Sequence, residues 1–199
     1  MTDESRSQVH PSRGERQVGP TSDLSENMEI EVRIEKLVAG GDGLARCDGL
    51  PIFVPRAAPG DHLRVRIVKR KTGYARGEIQ EIIDSGASRR EPPCPHFGEC
   101  GGCDLQHIKD ESQATFKAEA ALETLQRLGR LDLRGVKREV IAGESWSYRL
   151  RTQLRTALRT DGVALGYFAR GTQNVISVKS CPVLVPELEG VLQEELAAV

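Results

Sequence analysis

Three cysteines spaced Cys94-x5-Cys100-x2-Cys103, followed after a long gap by Cys181, restrict this chain more than any other feature of its sequence. The triplet lies among glycines and prolines, in Pro92-Pro93-Cys94-Pro95 and Cys100-Gly101-Gly102-Cys103. Segments of that kind bend the backbone tightly enough for several sulfurs to converge on one point. Zinc ribbons bring two Cys-x2-Cys pairs, whereas one such pair occurs here with an earlier cysteine and a remote partner. The asymmetry favours an iron–sulfur cluster on Cys94, Cys100, Cys103 and Cys181. His96 and His107 are the side chains that could complete a zinc site instead. Cys47, between Arg46 and Asp48, reads as a small half-buried side chain.

A chain of 199 residues, 38% of them hydrophobic, supports one or two domains with small cores. The net charge of -1 excludes a global electrostatic pull toward nucleic acid, so any such binding must come from local clusters. Residues 1–27 are rich in Ser, Arg, Glu, Pro and Gln without an apolar run, which predicts a disordered tail and excludes a signal peptide or membrane anchor there. No stretch approaches the length of apolar chain that spans a bilayer. Five cysteines, an odd number, without an export signal point to a reducing, cytoplasmic compartment in which thiols are available to metal.

Along residues 29–37 apolar and charged side chains alternate strictly, as in a strand with one wet face. Gly40-Gly41-Asp42-Gly43 turns the chain, residues 52–54 read as a short buried strand, and Pro59-Gly60-Asp61 turns again into an alternating strand at 63–67. With a last strand at 77–83, about five short strands within this compass favour a closed or nearly closed β-barrel of the oligonucleotide-binding kind, since closure removes exposed edges. Residues 110–129 predict a helix capped by Asp110 and stopped by Gly129, with Ala114, Ala118, Ala121, Leu125 and Leu128 as a core-facing stripe. Strands are expected at 136–141, 148–158, 163–168 and 175–178, the middle two joined by a Thr160-Asp161-Gly162 hairpin turn, and a helix at 185–199 with Leu188, Val191, Leu192 and Leu196 on one face.

The fold class is therefore β-rich α+β: a disordered tail (1–27), an OB-like barrel (28–85), a cluster-binding loop and helix (86–130) and an α+β central domain (131–199) carrying the fourth cysteine. Arg64, Arg66, Lys69, Arg70, Lys71 and Arg76 form a run with no acid among them and Tyr74 inside it, suited to phosphates with a base stacked on a ring. Arg149 and Arg151, with Arg155 and Arg159 further along, offer a second set of phosphate contacts. The alternative for both sets is a solvated strand face.

Several of these segments resemble a known family. Gly41-Asp42-Gly43-Leu44-Ala45-Arg46, Phe53-Val54-Pro55 and Pro59-Gly60-Asp61 look like a TRAM domain, and the stretch from Cys94 to His107 is similar to the cluster-binding loop of RNA uracil-5-methyltransferases. The likeness continues through Tyr148-Arg149-Leu150-Arg151, Gly166-Tyr167-Phe168-Ala169-Arg170-Gly171 and Ser180-Cys181-Pro182-Val183-Leu184, where the family places its fourth cluster ligand. The resemblance implies a 4Fe-4S cluster, RNA as partner (ribosomal first, transfer second), and transfer of a methyl group from S-adenosylmethionine to uridine C5. It also implies a thiolate that adds to C6 and a carboxylate base that removes the C5 proton, both in a C-terminal doubly wound methyltransferase domain. That domain, with its S-adenosylmethionine site, is missing from this sequence, and no residue here is expected to be catalytic. The chain is then expected to be either the N-terminal portion of a methyltransferase, whole or split between two chains, or a free-standing iron–sulfur module that binds RNA or moves electrons.

Overall fold

The computed structural model describes residues 24–160 and 162–197. Of the expected tail, residues 1–23 lie outside the described residues. Leu24, however, is buried in the first hydrophobic core and the Asn27 amide donates to the Ile67 carbonyl at 2.7 Å, so the barrel begins before the boundary expected at residue 28.

Alternation builds the barrel. In β1 (Glu29–Arg33) Ile30 and Val32 point inward between charged neighbours, and β2 (Lys36–Leu37) comes after two residues. Then come β3 (Gly43–Cys47), which the sequence pattern did not reveal, β4 (Leu50–Val54), β5 (His62–Lys71) and β6 (Tyr74–Asp84). The hydrogen-bonded order is β1-β5-β6-β4-β3-β2. The outermost strands β1 and β2 are consecutive in the chain, and the residues between them serve both edges. Ile34 N–H donates to the Asp61 carbonyl at 2.9 Å and Glu35 N–H to the Leu44 carbonyl at 2.8 Å. The single strand expected over 29–37 is therefore broken at this point, and the break rolls the sheet closed, with Ile52, Val54, Leu63, Val65 and Ile67 filling the interior.

Asp61 ties the barrel to the cysteine segment. It is fully buried, accepts the Ala58 N–H at 2.7 Å and the Gly86 N–H at 2.9 Å, and takes the Arg89 guanidinium at 3.0 Å through Nε and 2.7 Å through Nη2. A Cβ on Gly86 would lie 2.3 Å from the Pro59 carbonyl oxygen, so only glycine lets the chain leave the barrel this close to the 59–61 turn.

The helix α1 (Asp110–Arg127) differs from its expectation in two ways. Its N-cap is Lys109 with no side-chain cap, because the Asp110 carboxylate is engaged by Arg90 at 2.6 and 2.9 Å. The expected stripe is also on the wrong face: Leu125 and Leu128 are exposed, and Ala120 is the buried residue. The helix is seated by Phe116 against Leu37, Ala58 and Ile108, and by an ion pair of Glu123 with Lys36 at 2.6 Å.

The second sheet, β7 (Arg155–Arg159), β8 (Gly162–Phe168) and β9 (Val175–Ser177), is antiparallel, and α2 (Pro186–Ala197) packs on it through Leu188, Leu192 and Leu196. Val191, placed by the sequence on that face, is half exposed, and of the expected hairpin turn Asp161 lies outside the described residues. The strand expected at 136–141 does not form, and only the end of the one expected at 148–158 does. Among the described residues 136–141 has no partner strand and 148–154 makes only an isolated parallel bridge at Arg149 with Leu184, while Ile141 and Leu150 stand 87% and 80% exposed. Replacing Asp61 with Ala would strand Arg89 and two buried amides; chemical denaturation should record a loss of about 3–5 kcal/mol.

Candidate metal centre and nucleic-acid interface

The cysteine loop is docked by backbone pairing onto the end of β8. Gly101 N–H donates to the Phe168 carbonyl and Arg170 N–H to the Glu99 carbonyl, each at 3.0 Å, while Cys100 and Ala169 form an isolated antiparallel bridge. Cys181 reaches the same place from the other side. Its amide donates to Glu189 Oε2 on α2 at 2.9 Å, and two residues earlier Lys179 N–H donates to His96 Nε2 at 3.0 Å. Cys94, Cys100, Cys103 and Cys181 consequently line one cavity, whose other walls include His96, Phe97, Tyr167 and Pro182. The remote thiol and the triplet thus face the same cavity.

Burial pushes the Cys100 thiol up, partly offset by the Gly102 N–H 3.4 Å from its sulfur. Burial also raises Cys181, against hydrogen bonds from the Tyr167 hydroxyl and the Val183 backbone and the charge of Arg149. Tyr167 is itself pushed up to about 12 by burial, with its hydroxyl 2.8 Å from Thr152 Oγ1. Among the described residues no group of three or more His, Cys, Asp or Glu side chains is placed to hold a metal ion.

His107, the other histidine considered for zinc, is not among the residues that line the cysteine cavity. It is almost fully buried and its ring lies tilted against Phe97, centroids 5.6 Å apart. Burial first, and the Arg89 guanidinium second, lower its pKa to about 4, against an opposing backbone contact at Ala57. Cys47 packs against the barrel core, its thiol raised by burial and by Asp48.

The basic run resolves into two kinds of side chain. Arg64 pairs with Glu31 and Glu81, Arg66 with Glu78 at 3.4 Å, and Arg76 with Asp42 at 2.6 Å, so neighbouring strands and the 40–43 turn supply the acids that the run itself lacks. Lys69, Arg70 and Lys71 make no ion pair among the described residues and sit at the β5–β6 hairpin, beside Tyr74, whose ring meets Phe53 edge-on at 5.9 Å. Phe53, expected in a short buried strand, is only partly buried: β4 alternates, with Leu50, Ile52 and Val54 inward and Pro51 and Phe53 on the other side. In the second set, Arg149 is half-buried and directs its guanidinium toward the Gly102 carbonyl at 3.4 Å, Arg151 is exposed, and Arg155 lies 5.0 Å over the Phe168 ring.

Residues 25–79 match the family described as TRAM domain, so the barrel is of that class. Beyond the barrel, an uncharacterized RNA methyltransferase of Halalkalibacterium halodurans is 32% identical over 86% of this chain and 37% of its own length. A 23S rRNA (uracil(1939)-C(5))-methyltransferase of Shewanella amazonensis is 34% identical over 81% of this chain and 37% of its own length. The solved Pyrococcus abyssi tRNA (uracil-54, C5)-methyltransferase, in complex with S-adenosyl-L-homocysteine, is 25% identical with a TM-score of 0.54, over 84% of this chain and 36% of that one. The chain belongs to the TRAM-domain family of RNA (uracil-C5)-methyltransferases and spans a little over a third of the length of the curated relatives it matches. Among the described residues no helix is long and apolar enough to cross a membrane.

His107 gives this region a signature in pH. Its folded pKa, about 4, is below the ordinary 6.5, so its contribution is complete above pH 6.5 and is lost as pH falls toward 4. The full span corresponds to roughly 3 kcal/mol. Urea titrations at pH 7 and pH 4.5 should show a smaller pH-dependent loss for His107→Phe than for the unaltered chain.

Proposed function

We propose that this chain is the RNA-recognition and iron–sulfur portion of an enzyme that transfers a methyl group from S-adenosylmethionine to C5 of a uridine in RNA, ribosomal RNA first and transfer RNA second. One observation carries the reading: a TRAM barrel is joined to a four-cysteine cavity in a chain that aligns over more than four-fifths of its length with enzymes named for that reaction. The methyl donor and the reacting groups are assigned to the part of the family fold that this chain does not cover, and none of its own residues is given a catalytic role.

The donor set fits a 4Fe-4S cluster. Four thiols lining one largely apolar cavity are the donor set of a polynuclear group in which each iron meets one sulfur. Cys94, Cys100, Cys103 and Cys181 would hold the cluster, with Tyr167 and Arg149 stabilising the thiolate of Cys181. When bound, the group supplies a four-point covalent tie between the loop and the segment before α2, and an electron-carrying centre. The residues of the chain then fix an RNA-facing surface across both sheets. On the barrel the contacts would come from Lys69, Arg70 and Lys71 with Tyr74 and Phe53 as stacking rings. The carboxylate-paired Arg64, Arg66 and Arg76 would contribute less.

Purified without oxygen, the protein should be brown, carry iron and acid-labile sulfide, and bind single-stranded RNA in a salt-sensitive manner. Cys181→Ser should lose the iron and Cys47→Ser should keep it. Colourless protein with stoichiometric zinc would overturn the cluster assignment. Replacing Lys69, Arg70 and Lys71 with Ala should weaken RNA retention and flatten its log–log salt dependence by about two; Arg66→Ala should change the slope by less than about half a unit, far below the near-unit change expected of a phosphate contact.

A further inference from the structure

A second cavity lies behind the cysteine loop, between that loop, the start of α1 and the 145–148 segment; it shares Cys103 and Gly102 with the first cavity, but its aromatic and charged side chains are used neither there nor by the barrel contacts. It is open to solvent, holds about 200 Å³, and is lined by Trp146, Tyr148, Gln113, Lys117, Arg90 and Asp110. The two charges at its floor satisfy each other. Arg90 forks onto Asp110 at 2.6 and 2.9 Å, the Trp146 indole N–H donates to the same carboxylate at 3.3 Å, and the Arg90 guanidinium stands 5.5 Å from the centroid of the Trp146 ring. The indole is therefore fixed in place before any ligand arrives.

The remaining groups are unspent. Tyr148 is half exposed, while its backbone amide is held by the Val183 carbonyl at 3.1 Å. Lys117 makes no ion pair among the described residues and lies one helical turn beyond Gln113, on the same side of α1. Gln113 gives its amide N–H groups to the Ile108 carbonyl at 3.0 Å and to Asp110 at 3.1 Å, which leaves its Oε1 as an acceptor. Two aromatic rings, one amide acceptor and one cation around a charge-balanced floor are complementary to a neutral planar heterocycle carrying an N–H and attached to a phosphate. A small free anion would meet Lys117 alone and leave both rings unused, and an aliphatic chain would face a lining that is too polar.

We propose that this cavity is a nucleobase pocket that takes one unpaired base splayed out of a single-stranded RNA segment, stacked on Trp146 or Tyr148, with Lys117 on the adjoining phosphate. The inference rests on the proposed RNA-binding function and deepens it. The pocket opens next to Cys103 and Gly102, so an RNA strand held there runs along the loop that carries the triplet. Duplex RNA, whose bases are stacked inward, cannot fill it.

Trp146 is the single tryptophan of the chain and reports directly on the pocket. Its emission should be quenched saturably by a short oligouridylate at low salt, with the midpoint measured by filter retention of the same RNA, and far less by a duplex of equal length. Tyr148→Ala and Lys117→Ala should each raise the retention midpoint by about fivefold or more with unchanged circular dichroism and melting temperature. Retention as tight as that of the unaltered chain in both variants, or RNA bound with no change in Trp146 emission, would overturn the pocket while leaving RNA binding by the barrel intact. An absence of RNA retention by the unaltered chain would overturn the pocket and the RNA-binding function together.

Discussion

The buried pair of Asp61 and Arg89 is the constraint on which the arrangement of this molecule depends. A carboxylate removed from water is tolerated only when its charge and its lone pairs are all met, and Asp61 meets them with one guanidinium and two backbone amides drawn from the 58–61 turn and from Gly86. Those donors belong to both sides of the junction between barrel and cysteine segment. The pair therefore fixes the direction in which the chain leaves β6, and with it the position of the loop that begins at Cys94. The turn carbonyls around it are in use as well: Asp61 O receives Ile34 N–H and thereby helps to close the barrel. One buried charge pair sits at the seam of two structural units.

From that seam the second unit is assembled by pairing of short extended segments rather than by a large core. The loop edge at Glu99–Gly101 pairs with Phe168–Arg170, Tyr148 and Arg149 donate to Val183, and Arg170 reaches back to Asp104 and, at 3.7 Å, to Asp42 of the barrel turn. Its apolar cluster is small, with Val178, Leu184 and Leu192 at the centre and Cys181 at the margin. A core of that size stabilises little, and a four-sulfur tie between the loop and the α2 approach would supply cohesion that packing here does not.

The features legible in the sequence are those whose signals are local. Strand alternation at Ile30, Val32, Leu63, Val65 and Ile67 is a period-two signal fulfilled by one buried face, and it survives into the barrel unchanged. That Cys181 lines the same cavity as the triplet depends on the pairing of Glu99–Gly101 with Phe168–Arg170, a long-range contact that spacing alone does not carry. The face of α1 was not legible either. A helix that docks on one short strand and a three-residue cluster buries the side chosen by its neighbours, Phe116 and Ala120, and leaves the longer stripe of Leu125 and Leu128 in water. The strand expected at 136–141 finds no partner strand among the described residues, and 148–154 makes only a single parallel bridge, Arg149 with Leu184, so their β-propensity has no ladder to join. The basic run misled for a related reason. Its lack of acids is a fact about one stretch of sequence, whereas Glu31, Glu78, Glu81 and Asp42 arrive from elsewhere in the fold.

That redistribution of charge has a consequence for how such a molecule would meet RNA. Paired arginines on the flank of the barrel contribute little field beyond a Debye length, so positive charge free of a carboxylate partner among the described residues lies at the Lys69–Lys71 hairpin and, at the second cavity, on Lys117. Two separated basic points with aromatic side chains beside each, Tyr74 and Phe53 at the first, Tyr148 and Trp146 at the second, define a path rather than a patch. Under the proposed RNA-binding function, a single strand would present its bases one at a time to these rings.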